Sequence, residues 1–243
     1  MKKEIFKEKN EIERNENMQK SLEILHKYIK EYGSIKAFDY LHEIMRESQT
    51  FVEELLNKRK KENQEYDKDQ ARKTIAGNNF QFLVLYLLIY NIENGNLPED
   101  LIVLKKKRHK ILDEYASIKV GDEIQKPDLD LIAFTEDNTK PVVIYSCKTS
   151  LRERAGQTYR WKLLVDITKH CPKLVEKYQL EYPEKRKILT GFITTNFYNE
   201  IMQPQQKGML TFFDYSYIAK DIEVEPPIKK LSYIIKDLKE IFG

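Results

Sequence analysis

Two pairs of residues near the middle of the chain have types and spacings suited to chemistry on a phosphate. Asp128 and Asp130 are two apart in Lys126-Pro127-Asp128-Leu129-Asp130-Leu131-Ile132-Ala133-Phe134, a turn that runs into an apolar strand. Ser146 and Lys148 are two apart near the end of Pro141-Val142-Val143-Ile144-Tyr145-Ser146-Cys147-Lys148, a β-branched run that reads as a central strand. Side chains alternate along a strand, so each pair leaves on one face. The polar link from Thr135 to Lys140 is short enough for the two strands to pair, and pairing would bring carboxylate and ammonium to one sheet edge. Carboxylates suit Mg2+, a hard ion that prefers oxygen ligands. Such an ion activates water and neutralises charge on a phosphorane, while a lysine donates to the same phosphate or positions the water. The plainer alternative leaves Lys148 as a solvated strand end.

The next segment favours the phosphate reading. Residues 140–162 hold six basic groups against one acid. Arg152 and Arg154 can address guanine O6 and N7, Glu153 can accept from cytosine N4, and Gln157 can address adenine. Arg160 and Lys162 suit phosphates. The alternative is a solvated, charged helix start, with Trp161, the single tryptophan, as a core anchor.

These residues carry a resemblance. Residues 126–154 resemble the catalytic half of a type II restriction endonuclease of the PD-(D/E)xK superfamily, and are most similar to the BsaWI group that cuts CCGG-containing sites. The features are a strand-borne Asp, a strand ending Ser146-Cys147-Lys148, and the run Lys148-Thr149-Ser150-Leu151-Arg152-Glu153-Arg154. The resemblance implies a Mg2+-dependent homodimer facing a palindrome in double-stranded DNA, with Arg152, Glu153 and Arg154 reading bases. It favours Asp130, which precedes Leu131-Ile132-Ala133, as the metal-holding carboxylate, with Asp128 assisting or capping the turn. It covers about a third of the chain and leaves the first 70 residues outside.

One departure stands out. The superfamily often has an acid two residues before the Lys, where Ser146 stands. In the CCGG group a second carboxylate commonly lies about fourteen residues past the Lys, but Lys162 occupies that place; Asp166 is a weak substitute. A Glu on the helix before the sheet is another source, and there this chain has Gln81. An amide carbonyl can hydrogen-bond a metal-bound water but compensates charge less well. Gln81 is otherwise a polar gap in an apolar helix, and the metal count stays open.

The elements that must position these groups read as α/β: a restriction-endonuclease-like mixed central sheet flanked by helices, with a helical N-terminal extension. Residues 1–73 are expected to form that extension, which buttresses, dimerises or grips DNA, and 74–243 the catalytic domain. Gly33-Ser34 punctuates the first helices, and Ile35 to Leu56 reads as a second amphipathic stretch. Lys58 to Lys73 is a solvated helix or a connection. Gly77-Asn78-Asn79 reads as a helix start, and Phe80 to Tyr90 as a helix buried on most sides, ended by Gly95 and Pro98. Leu101–Leu104, Ser117–Val120, Ile188–Thr195 and Leu210–Tyr217 read as strands. Helices are expected from about Arg154 to His170 and from Leu231 to Phe242.

Composition bounds the rest. The 243 residues carry 42 Lys and Arg against 39 Asp and Glu, a net +3 that by itself announces no nucleic-acid binder. The distribution is uneven, with −4 over residues 77–139 and +6 over 140–243. Cys147 and Cys171 alone exclude a disulfide scaffold or a Cys-type zinc site, and the four His show no metal spacing. Lys105 to Lys110 can touch phosphates or be a solvated loop. The sequence has no Gly-rich phosphate loop, so no nucleotide cofactor is expected. The apolar run Phe80–Ile92 is interrupted by Gln81 and Asn91, so no membrane span is expected, and the charged N-terminus lacks the apolar core of a signal peptide, which together read as cytoplasmic. Two other readings remain: a repair or junction-resolving nuclease of the same fold, and a non-catalytic DNA-binding relative. A helical interaction protein would leave residues 126–162 unexplained.

Overall fold

The computed structural model describes residues 2–62, 65, 67–105, 117–126, 129–150, 152–182, 186–197, 199–201 and 203–243, with side chains described from residue 5 and, after residue 150, from residue 159. The N-terminal region is helical: α1 (Lys2–Arg14), α2 (Gln19–Tyr32), α3 (Leu41–Glu47) and α4 (Gln49–Glu62), with 3-10 turns at Glu16–Met18 and Lys36–Tyr40. Gly33, at φ 83°, stops α2 in a backbone conformation that favours glycine. The single amphipathic stretch expected from Ile35 to Leu56 is divided into a 3-10 turn and two helices. Ser48 lies at the division; its hydroxyl donates to Met45 O at 3.1 Å and accepts from Ser21, so the side chain competes with the helix ladder.

Helix α5 (Lys68–Glu93) corrects a second expectation. It starts at Asp67, whose carboxylate accepts from Gln70 N at 2.9 Å, and runs straight through Gly77-Asn78-Asn79. A glycine inside a helix costs about 1 kcal/mol relative to alanine, and packing overrides that cost here. Asn79 is buried and donates to Asn17 O at 3.0 Å instead of capping. The polar stretch from Lys58 to Lys73 thus comprises the end of α4, a short link and the first turns of α5. Residues 73 and 74 both lie inside α5, and one continuous core joins Leu25, Phe38 and Ile44 of the N-terminal helices to Leu83, Leu87, Ile132 and Val143. By length and composition alone α5 could cross a membrane, a property the broken apolar run concealed; most of its apolar window is buried in the fold, as in the core helix of a globular domain.

A six-stranded mixed sheet follows, in the order β1-β4-β5-β7-β8-β9, from β1 (Ile102–Lys105), β4 (Leu131–Phe134), β5 (Val142–Lys148), β7 (Ile188–Thr194), β8 (Tyr215–Ile218) and β9 (Ile228–Lys230). β1, β4 and β5 are antiparallel neighbours; β5, β7, β8 and β9 run parallel. Every residue of β5 and β7 is buried, which explains the continuous apolar runs in place of alternation. β2 (Ile118–Val120), β3 (Glu123–Gln125) and β6 (Leu180–Glu181) form a small antiparallel sheet. Helices α6 (Arg152–His170) and α7 (Pro172–Tyr178) cross from β5 toward β7, α8 (Pro204–Leu210) precedes β8, and α9 (Tyr233–Phe242) closes the chain. The strand expected from Leu210 to Tyr217 is shorter, because Leu210 ends α8. There it packs with Phe192 and Phe213, and only Tyr215–Ile218 pairs with β7.

Register determines what meets at the sheet edge. Lys105 lies opposite Leu131, Leu131 opposite Tyr145, Lys148 beside Thr194, and Thr194 beside Ile218. The carboxyl ends of β1, β5, β7 and β8 and the entry to β4 therefore share one edge.

Candidate active site

Asp130 stands one residue before β4. Its backbone N–H donates to Tyr145 O at 2.8 Å, extending the β4–β5 pairing by one step and holding the residue at the strand mouth. Its carboxylate faces the end of β5. Oδ2 accepts from Cys147 N at 2.7 Å and from Lys148 Nζ at 3.1 Å, and Oδ1 accepts from the Gln81 side-chain amide at 2.7 Å. The two charges are nearly out of water, with side-chain exposures of 9% for Lys148 and 11% for Asp130. Removing one partner of such a pair is costly because it strands the other charge.

Strand pairing and the α5 packing thus bring together Asp130, Lys148 and Gln81 from three separate stretches of sequence. Ser146 is buried, two residues before Lys148 on the same strand face. Cys147, on the opposite face, is buried among core side chains; burial, then the neighbouring Asp130 carboxylate, pushes its thiol well above the ordinary range, so it is no nucleophile. The role of the Cys147 main-chain N–H was not legible in the sequence, since a backbone donor carries no residue signature.

Other expected residues fall elsewhere. Asp128, and Lys106 to Lys110 of the basic run, lie outside the described residues, as do the side chains of Arg152, Glu153, Arg154 and Gln157. The backbone of those four opens α6, four residues after Lys148. Arg160 is exposed; Trp161 is buried with Val165 in the core, as the anchor alternative had it. Lys162 pairs with Asp166 at 2.8 Å and lies 3.9 Å from Asp214, whose carboxylate accepts from Thr190 N and Oγ1. Asp214 precedes β8, so Asp166 is drawn toward the amino-terminal side of β7–β8, away from Asp130. Lys105 belongs to the carboxyl edge, held by the buried Glu8 carboxylate at 3.2 Å.

Among the described residues no group of three or more His, Cys, Asp or Glu side chains converges. The donor set still fits one hard divalent ion of the Mg2+ kind. Such ions keep several waters and need only one or two carboxylates plus substrate phosphate oxygens. Asp130 would supply the carboxylate, and Gln81 is placed beside it.

The comparisons with known proteins identify the family. The sequence model of the BsaWI restriction endonuclease type 2 family matches residues 87–242, which contain Asp130, Lys148 and all of α6. A protein of Methanocaldococcus jannaschii, provisionally named type II restriction enzyme MjaVIP, is 26% identical over 160 residues, which cover 62% of this chain and 62% of that protein. The chain thus spans under two thirds of that relative's length. With more than half of its residues matched by the family model, the chain belongs to the BsaWI restriction endonuclease type 2 family.

Proposed function

We propose that the protein is a type II restriction endonuclease that hydrolyses phosphodiester bonds in double-stranded DNA, sequence-specifically and with Mg2+, as a cytoplasmic homodimer on a palindromic site. The observation that carries the reading is the contact of Asp130 with Lys148 across paired strand ends, 3.1 Å apart at a sheet edge. Asp130, with Asp128, would hold the ion. Bound there, Mg2+ supplies a Lewis acid that neutralises phosphate charge and lowers the pKa of water. Lys148 donates to a non-bridging phosphate oxygen and orients the attacking water; its pairing with Asp130 fixes the ammonium in place. Gln81 orients Asp130 through Oδ1. Ser146 lines the same strand face. Arg152, Glu153, Arg154 and Gln157 open α6 close to Lys148, where they reach base edges, and Arg160 lies one to two turns further along for a phosphate. Lys162, paired with Asp166 on its own helix and 3.9 Å from Asp214 just before β8, serves to hold α6 to β7–β8. The N-terminal helices α1 to α4 buttress α5 and with it Gln81.

Digestion of unmethylated phage DNA with Mg2+ tests this. Wild type is expected to give discrete fragments, and Lys148→Ala none. Cleavage that survives Lys148→Ala would sink the site assignment. Cutting confined to branched DNA would point to junction resolution, and specific binding with no cleavage in Mg2+ or Mn2+ to a non-catalytic relative.

A further inference from the structure

Lys148 is the last residue of β5, and at that point the strand is paired on one side only. The β4–β5 register stops at Tyr145, whereas the β5–β7 register continues to Lys148 beside Thr194. The segment after β7 holds the chain one residue further. Thr149 O accepts from Phe197 N at 3.0 Å and from Thr195 Oγ1 at 3.1 Å. Thr194, Thr195 and Asn196 are buried, and their own backbone is tied down. Asn196 N donates to Thr194 Oγ1 at 2.9 Å, and Asn196 Oδ1 accepts from Ile201 N at 3.0 Å.

This segment is fastened in turn to the N-terminal helices, and His42 makes the connection. Helix α3 begins at Tyr40 without a side-chain cap. A first-turn N–H has no intrahelical acceptor and takes one from elsewhere. His42 N donates to Ala219 O at 3.0 Å, and Ala219 N donates to Thr194 O at 2.8 Å. The His42 ring is buried, packs on the Phe197 ring with 4.9 Å between centroids, and hydrogen-bonds the Thr195 backbone. Its Nδ1 has no hydrogen-bond partner among the described residues, so the other ring nitrogen is the one that faces Thr195. One side chain therefore touches both residues that hold Thr149. Neighbouring contacts fix α3 to the same end of the sheet: the buried Asp39 carboxylate accepts from Ser232 N at 2.8 Å, and Tyr40 OH donates to Asp221 at 3.1 Å.

We propose that His42 is a positioning residue for the catalytic lysine. Through Thr195 and Phe197 it holds the Thr149 peptide, and through that peptide it keeps Lys148 at 3.1 Å from Asp130. The inference rests on the DNA-cutting reading above and gives the helical N-terminal region a part in the chemical step. Reacting groups must stay within about 0.5 Å of the productive geometry, and a displacement of about 1 Å costs about a hundredfold in rate. Lys148 acts through its fixed position, so slack at Thr149 is felt in cleavage and hardly in the hold on DNA.

The test measures single-turnover cleavage at saturating enzyme in Mg2+, duplex affinity in EDTA, and amide exchange at Phe197. His42→Ala removes the ring contact and the hydrogen bond, and Phe197→Leu removes the ring contact from the other side. His42→Gln keeps an amide donor at similar reach. Leu25→Ala weakens the N-terminal core away from this contact and controls for lost stability. His42→Ala is expected to cleave about tenfold to a hundredfold more slowly, with duplex affinity within about twofold of wild type and faster exchange at Phe197. Phe197→Leu is expected to shift the same way, His42→Gln to recover most of the rate, and Leu25→Ala to cleave as wild type while folded. A rate unchanged in both His42→Ala and Phe197→Leu, a fall in affinity as large as the fall in rate, or an equal slowing in Leu25→Ala overturns the proposal and leaves the nuclease reading standing. No cleavage by the wild type overturns both.

Discussion

Gln81 of α5 donates its side-chain amide to Asp130 Oδ1 over 2.7 Å, joining residues 49 apart in sequence at the sheet edge. The amide occupies a place where a carboxylate would repel Asp130. Gln81→Glu is therefore expected to lower stability in EDTA by about 1–3 kcal/mol, a fall in Tm of roughly 2–10 °C for a chain of this size. Mg2+ should restore most of that loss, because the ion converts two repelling carboxylates into ligands. Thermal unfolding in EDTA and in Mg2+ checks this; a Mg2+-induced rise no larger than that of wild type would refute it.

Lys148→Ala is expected to reduce single-turnover cleavage by about a hundredfold to a thousandfold, the range for losing one fixed donor to developing negative charge. Binding of a duplex in EDTA should change little, since base contacts are assigned to α6. Lys148→Arg should not restore the rate, because a planar guanidinium cannot take the place of a compact ammonium beside Asp130. Equal losses in binding and cleavage would mean that Lys148 serves the fold or the grip instead of the chemistry.

The residues that were legible in the sequence are those whose neighbours are local. β5 announces itself as a β-branched run because both of its faces are buried, and β4 lies within hairpin distance, so the meeting of Asp130 and Lys148 followed from strand alternation alone. Gln81 was legible only as a polar gap in an apolar helix; that it reaches Asp130 depends on how α5 lies across β1 and β5. Asp67 was passed over as the α5 cap because Gly77-Asn78-Asn79 is the stronger local signal, and Asn79 in fact bonds a carbonyl 62 residues away. The clamp of Thr149 on Phe197 and Thr195 is made partly by main-chain groups between parallel strands, which no side-chain pattern records. Asp214, 3.9 Å from Lys162, is remote in sequence, so that approach carries no local signal.

Gly191→Ala tests the packing beneath the site. A Cβ on Gly191 would fall 2.3 Å and 2.4 Å from two ring carbons of Tyr145, a fully buried side chain on the neighbouring strand. The ring cannot swing away in a filled core, so strand separation or an off-rotamer ring must absorb the clash, at about 1–3 kcal/mol or more. Tyr145 O also holds the Asp130 backbone, so cleavage should fall along with stability. Urea unfolding within a few tenths of a kcal/mol of wild type would contradict this account.

His42 makes acid stability a test of how the N-terminal helices dock on the catalytic edge. The ring is buried against Phe197, and its Nδ1 finds no hydrogen-bond partner among the described residues. Burial first, then Lys220 and Arg46, lowers its pKa from 6.5 to about 4, against a backbone hydrogen bond at Thr195 that favours the charged form. The unfolded chain therefore binds more protons than the folded chain between those two values, and stability rises with pH across that window. The contribution is complete above about pH 6.5 and is lost as pH falls to about 4, amounting to about 2–3 kcal/mol at most. Urea unfolding at pH 7 and pH 4.5 should show a smaller acid loss in His42→Asn than in wild type, by about that amount. Because His42 contacts Phe197, acid should also loosen the segment after β7, seen as faster amide exchange at Thr195 and Phe197 in wild type and not in His42→Asn. Parallel pH dependence of the two proteins would show that another group controls the docking.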